Sequence, residues 1–168
     1  MLPQRRLAHA RGYLELGMLE AAAAELALIP GPACDGADVL AVRMAVLHEQ
    51  AKWPELARIA GEFTRREPGE SAAWITWAYA TRRAVSLAAA EQILLTAEVH
   101  HPAEATIHFN LGCYACQRGD LSAARERVAR AIDLDGKFAA AAQSDPDLAP
   151  LRDTGETFGP AKRRRRKT

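Results

Sequence analysis

The chain has 168 residues, 49% of them hydrophobic, and a formal net charge of +1, all typical of a single globular domain. No apolar run reaches the ~20 residues that span a bilayer, and the start lacks the apolar segment and cleavage site of a secretory signal. Three cysteines are a poor disulfide framework, so we expect a cytoplasmic protein with reduced thiols and no membrane partner.

A repeating pattern, with a period of about 34 residues, predicts pairs of helices along most of the chain. The turn inside each pair is predicted at Gly17, Ala51, Val85 and Gly119. Columns of small or apolar residues then follow at Ala22, Leu56, Ala90 and Ala124, and at Leu26, Ala60, Leu94 and Val128. In the first helix of each pair, the position of close helix approach falls at Ala10, Met44, Ala78 and Gly112. The spacing of three or four residues between columns is one face of a helix.

The period divides the chain into units 3–36, 37–70, 71–104 and 105–138. Pro68 and Pro102, which are one period apart, close the second and third units. Single residues suit helix ends: Gly119 fits a left-handed turn, and we expect Asp120, Ser71 and Ser86 to cap the helices that follow. A pair of helices cannot bury both of its apolar faces alone, so stacked neighbours are expected to share one continuous core.

A change of pattern after residue 136 predicts a capping segment over residues 139–153. The stretch "GKFAAAAQS" favours a short ninth helix with Phe138 packed on the last pair. Asp145 then suits a helix cap, with Leu148 and Leu151 on the buried side.

The period and its residues resemble the tetratricopeptide repeat (TPR) family. Unit four carries the best match, with Leu111-Gly112, Gly119-Asp120-Leu121, Ala124 and Ala131, and unit three adds Trp74, Ala78 and Pro102. Unit one departs from the family pattern, with Arg6 and His9 at apolar positions. The resemblance implies an all-α fold, a right-handed α-α superhelix (TPR solenoid) of stacked antiparallel helix pairs, and a cap similar to the endings of some bacterial TPR chains.

The resemblance also implies a concave groove lined by the first helix of each pair, where extended peptides or partner helices bind. By repeat phase the lining is Gln4, Leu7, Arg11 and Leu14; Asp38, Ala41, Ala45 and His48; Ala72, Ile75, Tyr79 and Arg82; and Thr106, Phe109, Cys113 and Cys116. The residues predicted to carry binding are Leu7, Arg11, His48, Ile75, Tyr79, Arg82, Phe109 and Cys113. Ile75, Tyr79 and Phe109 suit a pocket for an apolar side chain, and Arg82 suits a carbonyl or carboxylate.

Residues 154–168 contain Gly, Pro and clustered like charges, which predict disorder. Taking the six basic residues of this tail from the 22 in the chain leaves 16 against 21 acidic ones, a net charge of −5. A basic tail attracts nucleic acid or another polyanion without sequence specificity. The residues concerned are Lys162, Arg163, Arg164, Arg165, Arg166 and Lys167. A solubilising tail is the alternative.

No arrangement typical of a catalytic site stands out in the sequence, so we expect no enzyme and no cofactor. Cys113 and Cys116 share one helix face, but a structural zinc site needs four ligands and a redox motif favours a strand–helix context. We interpret them as packing residues, with a metal or redox role as the alternative. Trp53, Trp74 and Trp77 are assigned to the core by repeat phase, with a ligand-binding aromatic box as the alternative.

The sequence therefore predicts a protein-interaction module or scaffold that binds a peptide or partner helix. The alternative is an accessory protein for nucleic acid that acts through the tail. The carboxylate clamp of chaperone-binding TPR domains is disfavoured, because Ile75 and Tyr79 stand where it needs a lysine and an asparagine. A bacterial secretion chaperone is similar in size only. Pairing of the first unit with another copy of the chain stays open.

Overall fold

The computed structural model describes residues 2–155 and 157–158, and all regular secondary structure in that part of the chain is helical. The α-helices are α1 (Pro3–Glu15), α2 (Leu19–Ala27), α3 (Ala37–Glu49), α4 (Trp53–Arg66), α5 (Ser71–Ala84), α6 (Leu87–His100), α7 (Ala105–Gln117), α8 (Leu121–Leu134), α9 (Phe138–Ser144) and α10 (Ala149–Arg152). Two 3-10 helices, Gly31–Asp35 and Pro146–Leu148, precede α3 and α10. No helix among these residues is both long and apolar enough to cross a membrane.

The helix boundaries repeat with the predicted period. The helices α1, α3, α5 and α7 begin at Pro3, Ala37, Ser71 and Ala105, and α2, α4, α6 and α8 begin at Leu19, Trp53, Leu87 and Leu121. Ala22, Leu56, Ala90 and Ala124 are each 0% exposed, as a shared buried column requires. The predicted helices and their buried columns are therefore confirmed, and α1–α2, α3–α4 and α7–α8 pack as pairs.

The turn inside each pair repeats one hydrogen bond. Gly17, Ala51 and Gly119 have φ values of 70°, 54° and 82°, the left-handed conformation that ends a helix. The next amide bonds the carbonyl five residues earlier in all four turns: Met18 to Tyr13, Lys52 to Leu47, Ser86 to Thr81 and Asp120 to Ala115. In the third turn this hydrogen bond forms although Val85 has a φ of −128°. Positive φ is unfavourable for a β-branched residue such as valine.

A second hydrogen bond follows the period at the unit boundaries. Trp74 Nε1 donates to the carbonyl of Pro68 at 3.0 Å, and His108 Nε2 donates to the carbonyl of Pro102 at 2.8 Å. Both the donors and the acceptors of the two bonds are one period apart in the chain. A carbonyl oxygen only accepts, so Nε2 of His108 carries a proton.

Helix caps agree with the sequence in most places. Ser86 Oγ accepts the amide of Ala89 at 3.1 Å, and Asp120 Oδ1 accepts the amide of Ala123 at 3.0 Å. The prediction for Ser71 is wrong, because Ser71 is the first residue of α5 and Glu70 is its N-cap.

The chain forms two compact units, residues 1–90 and residues 91–168, and the boundary between them falls within α6. The core of the first unit has one cluster from α1 to α3, including Ala10, Ala22 and Val46, and a second cluster from α3 to α5. The second cluster contains Leu40, Met44, Leu47, Leu56, Ile59, Ala60, Phe63, Ala73 and Ala80, with Trp53 and Trp77 packed against it.

The second unit is built on the close pair α7 and α8. A Cβ atom on Gly112 would lie 2.8 Å from Val128 Cγ2, so this column needs glycine here. The C-terminal segment packs on the pair: the Phe138 ring lies 4.8 Å from that of Phe109, and Leu148 and Leu151 are 0% exposed. The predicted ninth helix is confirmed. The predicted helix cap at Asp145 is confirmed as well, because its Oδ1 accepts the amide of Asp147 at 2.9 Å.

Candidate functional site

The first unit contains a concave cavity of about 760 Å³. Five positions that repeat phase assigned to the groove line it: Leu14 from α1, Ala41, Ala45 and His48 from α3, and Ala72 from α5. Three successive first helices thus contribute to one wall. The volume falls within the range of about 300–1,000 Å³ that is common for ligand sites.

The cavity coincides with a departure from the close-approach column. Ala10 and Gly112 are the small residues of this column in the closely packed pairs α1–α2 and α7–α8, whereas the second unit of the repeat has Met44 at this position. The long side chain of Met44 lines the cavity, and α3 and α4 pack less closely than α1 with α2 or α7 with α8. A large residue in a column of small ones therefore accompanies the opening on the face of α3.

Two acidic residues also line the cavity, Glu49 at the end of α3 and Glu70 before α5. Glu49 Oε1 lies 3.4 Å from His48 Nδ1, and 60% of the Glu49 side chain is exposed. No lysine or arginine lines this cavity in the part of the chain that the structure describes. Sequence reasoning missed both carboxylates, because neither lies in a groove column.

Beside the cavity, four side chains form a group that we call the aromatic corner: His48, Trp53, Tyr79 and Arg83. The three ring centroids lie 5.2 to 5.6 Å apart. The guanidinium carbon of Arg83 is 3.4 Å from the centroid of the Tyr79 ring and 5.2 Å from that of Trp53. His48 belongs both to this corner and to the cavity wall, so the two features are continuous.

The other predicted groove residues of the first unit lie outside the cavity wall. Leu7 packs against the core cluster of α1 to α3. Arg11 pairs with Asp38 at 3.8 Å on the surface, and Ile75 and Arg82 are half-buried. Of the eight residues predicted to carry binding, only His48 lines this cavity.

Phe109 and Cys113 belong to the second unit and are 6% and 4% exposed. The C-terminal segment packs on α7, with Gln117 Nε2 donating to the carbonyl of Asp147 at 3.2 Å. Phe109 and Cys113 are therefore core residues. A partner could reach Phe109 only if the C-terminal segment separated from α7.

Cys116 is 2% exposed, and burial raises the pKa of its thiol. Cys113 lies one helical turn away and is also buried. The described residues contain no group of three His, Cys, Asp or Glu side chains placed to hold a metal ion. The two cysteines thus occupy packing positions on α7.

His108 is a buried polar residue that sequence reasoning treated only as a lone histidine. It is 5% exposed, and its Nδ1 lies 3.3 Å from an Nη atom of Arg127 and 3.5 Å from Glu98 Oε1. Arg127 and Glu98 also form an ion pair with each other. Its position one repeat after Trp74 is the sequence signal for a buried side chain that donates a hydrogen bond to a carbonyl.

The predicted polyanion-binding residues, Lys162–Lys167, lie outside the described residues. The sequence matches no protein-family model, and it has no significant match among curated proteins.

Proposed function

We propose that this protein is an interaction module of the TPR type that binds an extended peptide or a partner helix in the groove of α1, α3 and α5. It acts by binding rather than by catalysis. The supporting observation is the cavity itself, because five of its lining residues are at positions that the TPR resemblance assigns to a groove.

The chemistry of the wall suits a peptide. Leu14, Ala41, Ala45 and Ala72 present small or apolar surface to the cavity, while His48 and Thr76 offer polar atoms. Concave, mostly apolar surfaces with a few polar groups are typical of binding sites. A peptide side chain buried here would supply affinity through the removal of apolar area from water.

The test fills the cavity with a side chain of the protein itself. Ala41 is exposed on α3 and lines the cavity, so Ala41→Trp adds bulk to the groove while sparing the core. Random dodecapeptides displayed on phage are selected against the full chain, and their affinities are measured by fluorescence anisotropy. We expect Ala41→Trp to weaken the selected peptides about tenfold or more, a loss of about 1.4 kcal/mol.

The matched control is Ala24→Trp, because Ala24 is exposed on α2 and does not line the cavity. This variant should bind with unchanged affinity, and circular dichroism should show both variants equally helical. Failure to enrich any peptide, or equal binding by Ala41→Trp and the unaltered chain, would reject the proposed function.

A further inference from the structure

The charges around the cavity select among partners. Glu49 and Glu70 line it, and among the described residues no lysine or arginine does. The side chain of Glu49 is 60% exposed, and its Oε1 lies 3.4 Å from Nδ1 of His48, so a partner's cation can reach it. A partner carboxylate at the same place would meet like charge.

The aromatic corner at the edge of the cavity contacts a cation of this chain itself. Ring faces carry negative electrostatic potential, and Arg83 of this chain already places its guanidinium 3.4 Å from the centroid of Tyr79. Tyr79 and Trp53 lie within 5.6 Å of the His48 ring, which is part of the cavity wall. One edge of the cavity is therefore a surface whose rings already contact a guanidinium.

An anionic partner finds less support. Arg11, the groove arginine of α1, lies 3.8 Å from Asp38, and that carboxylate offsets its charge. Arg82 does not line the cavity. Arg11 and Arg82 are thus set apart from the apolar wall, and Arg83 is held against the Tyr79 ring, whereas Glu49 and Glu70 belong to the wall.

We propose that the groove of the first unit binds a peptide segment that places an apolar side chain in the cavity and a lysine or arginine beside it, against Glu49 and Glu70. This inference rests on the proposed function and specifies the partner. The apolar side chain contacts Ala41, Ala45 and Ala72, and the cation pairs with the carboxylates at the rim. A peptide is the sole occupant proposed, and the groove would select it by the apolar and basic residues in its sequence.

The test uses the peptides selected on the full chain. Peptides that bind in the groove are identified by their loss of binding to Ala41→Trp. These peptides should carry a leucine, methionine or aromatic residue next to lysine or arginine more often than peptides of the unselected library do. The double variant Glu49→Gln with Glu70→Gln should weaken such a peptide about fivefold to tenfold at low salt, and the loss should shrink at high salt. Replacing the peptide's lysine by alanine should remove the difference between the variant and the unaltered chain.

Glu55→Gln is the matched control, because Glu55 is exposed on α4 and lies outside the cavity wall. It should leave the affinity unchanged. Groove-binding peptides that are acidic, or that bind the double glutamine variant as well as the unaltered chain, would overturn this inference and leave the proposed function standing. Peptides insensitive to Ala41→Trp would overturn both.

Discussion

At the scale of single residues, polar side chains that stand in apolar columns have polar partners. Arg6 pairs with Glu25 at 3.1 Å where later repeats bury Leu40 and Trp74. His108 in the same column reaches the carbonyl of Pro102, Arg127 and Glu98. Buried polar groups are costly unless they are hydrogen-bonded, and both of these departures from the repeat pattern have a polar partner.

Residue burial predicts how the three thiols react. Cys34 is half-buried in the 3-10 helix before α3, whereas Cys113 and Cys116 are 4% and 2% exposed. Burial also raises the pKa of Cys116, which lowers the fraction of reactive thiolate. An alkylating reagent should therefore modify Cys34 first in the folded protein, with the other two reacting only after unfolding in urea.

Peptide mass spectrometry over a time course gives the order of modification. Reaction of Cys113 or Cys116 at the rate of Cys34 in the folded protein would show that the packing of the C-terminal segment on α7 is wrong.

Buried columns could be predicted from the sequence because a helix face repeats at a fixed spacing, as Ala22 and the three residues aligned with it show. The carboxylates of the cavity could not. Glu49 ends α3 and Glu70 precedes α5, so neither residue lies in a groove column. Such positions depend on tertiary packing rather than on periodicity.

At the scale of elements, Ala51 occupies an unfavourable conformation. Its φ is 54°, and the equivalent residues in two other turns are glycine. For an L-residue with a Cβ, the left-handed region costs about 1 kcal/mol, and glycine avoids this cost. Ala51→Gly should therefore raise the free energy of unfolding by about 1 kcal/mol, measured by urea denaturation.

Gly119→Ala is the reverse change at the matching turn. Gly119 has φ 82°, and a Cβ atom there would meet no other atom within 4 Å, so its cost arises from the backbone alone. This variant should lose about 1 kcal/mol. Opposite signs for the two variants support one shared turn geometry, while a destabilised Ala51→Gly would contradict it.

The helices themselves were predictable because turn, column and proline signals all repeat with one period. The backbone conformation of the turn at Val85 was less predictable, since the Ser86–Thr81 hydrogen bond forms there with a negative φ at Val85. Backbone hydrogen bonding tolerates more than one residue conformation at a helix end, and sequence spacing alone does not choose between them.

At the scale of the whole molecule, the helices follow one period along the chain, and the chain forms two compact units. Repeat phase identifies the helix face that would line a groove. It does not reveal which part of that face another segment covers, as the C-terminal segment covers Phe109 on α7. It also does not reveal the opening that accompanies Met44 on α3.

The central claim is that the groove of α1, α3 and α5 is the binding surface. Amide chemical-shift mapping tests this claim most directly. A peptide selected on the full chain is titrated into the isotope-labelled protein. The account predicts the largest shifts at Leu14, Ala41, His48 and Ala72, with little change in residues 91–158. Shifts confined to residues 91–158, or to α2 and α4 alone, would contradict it.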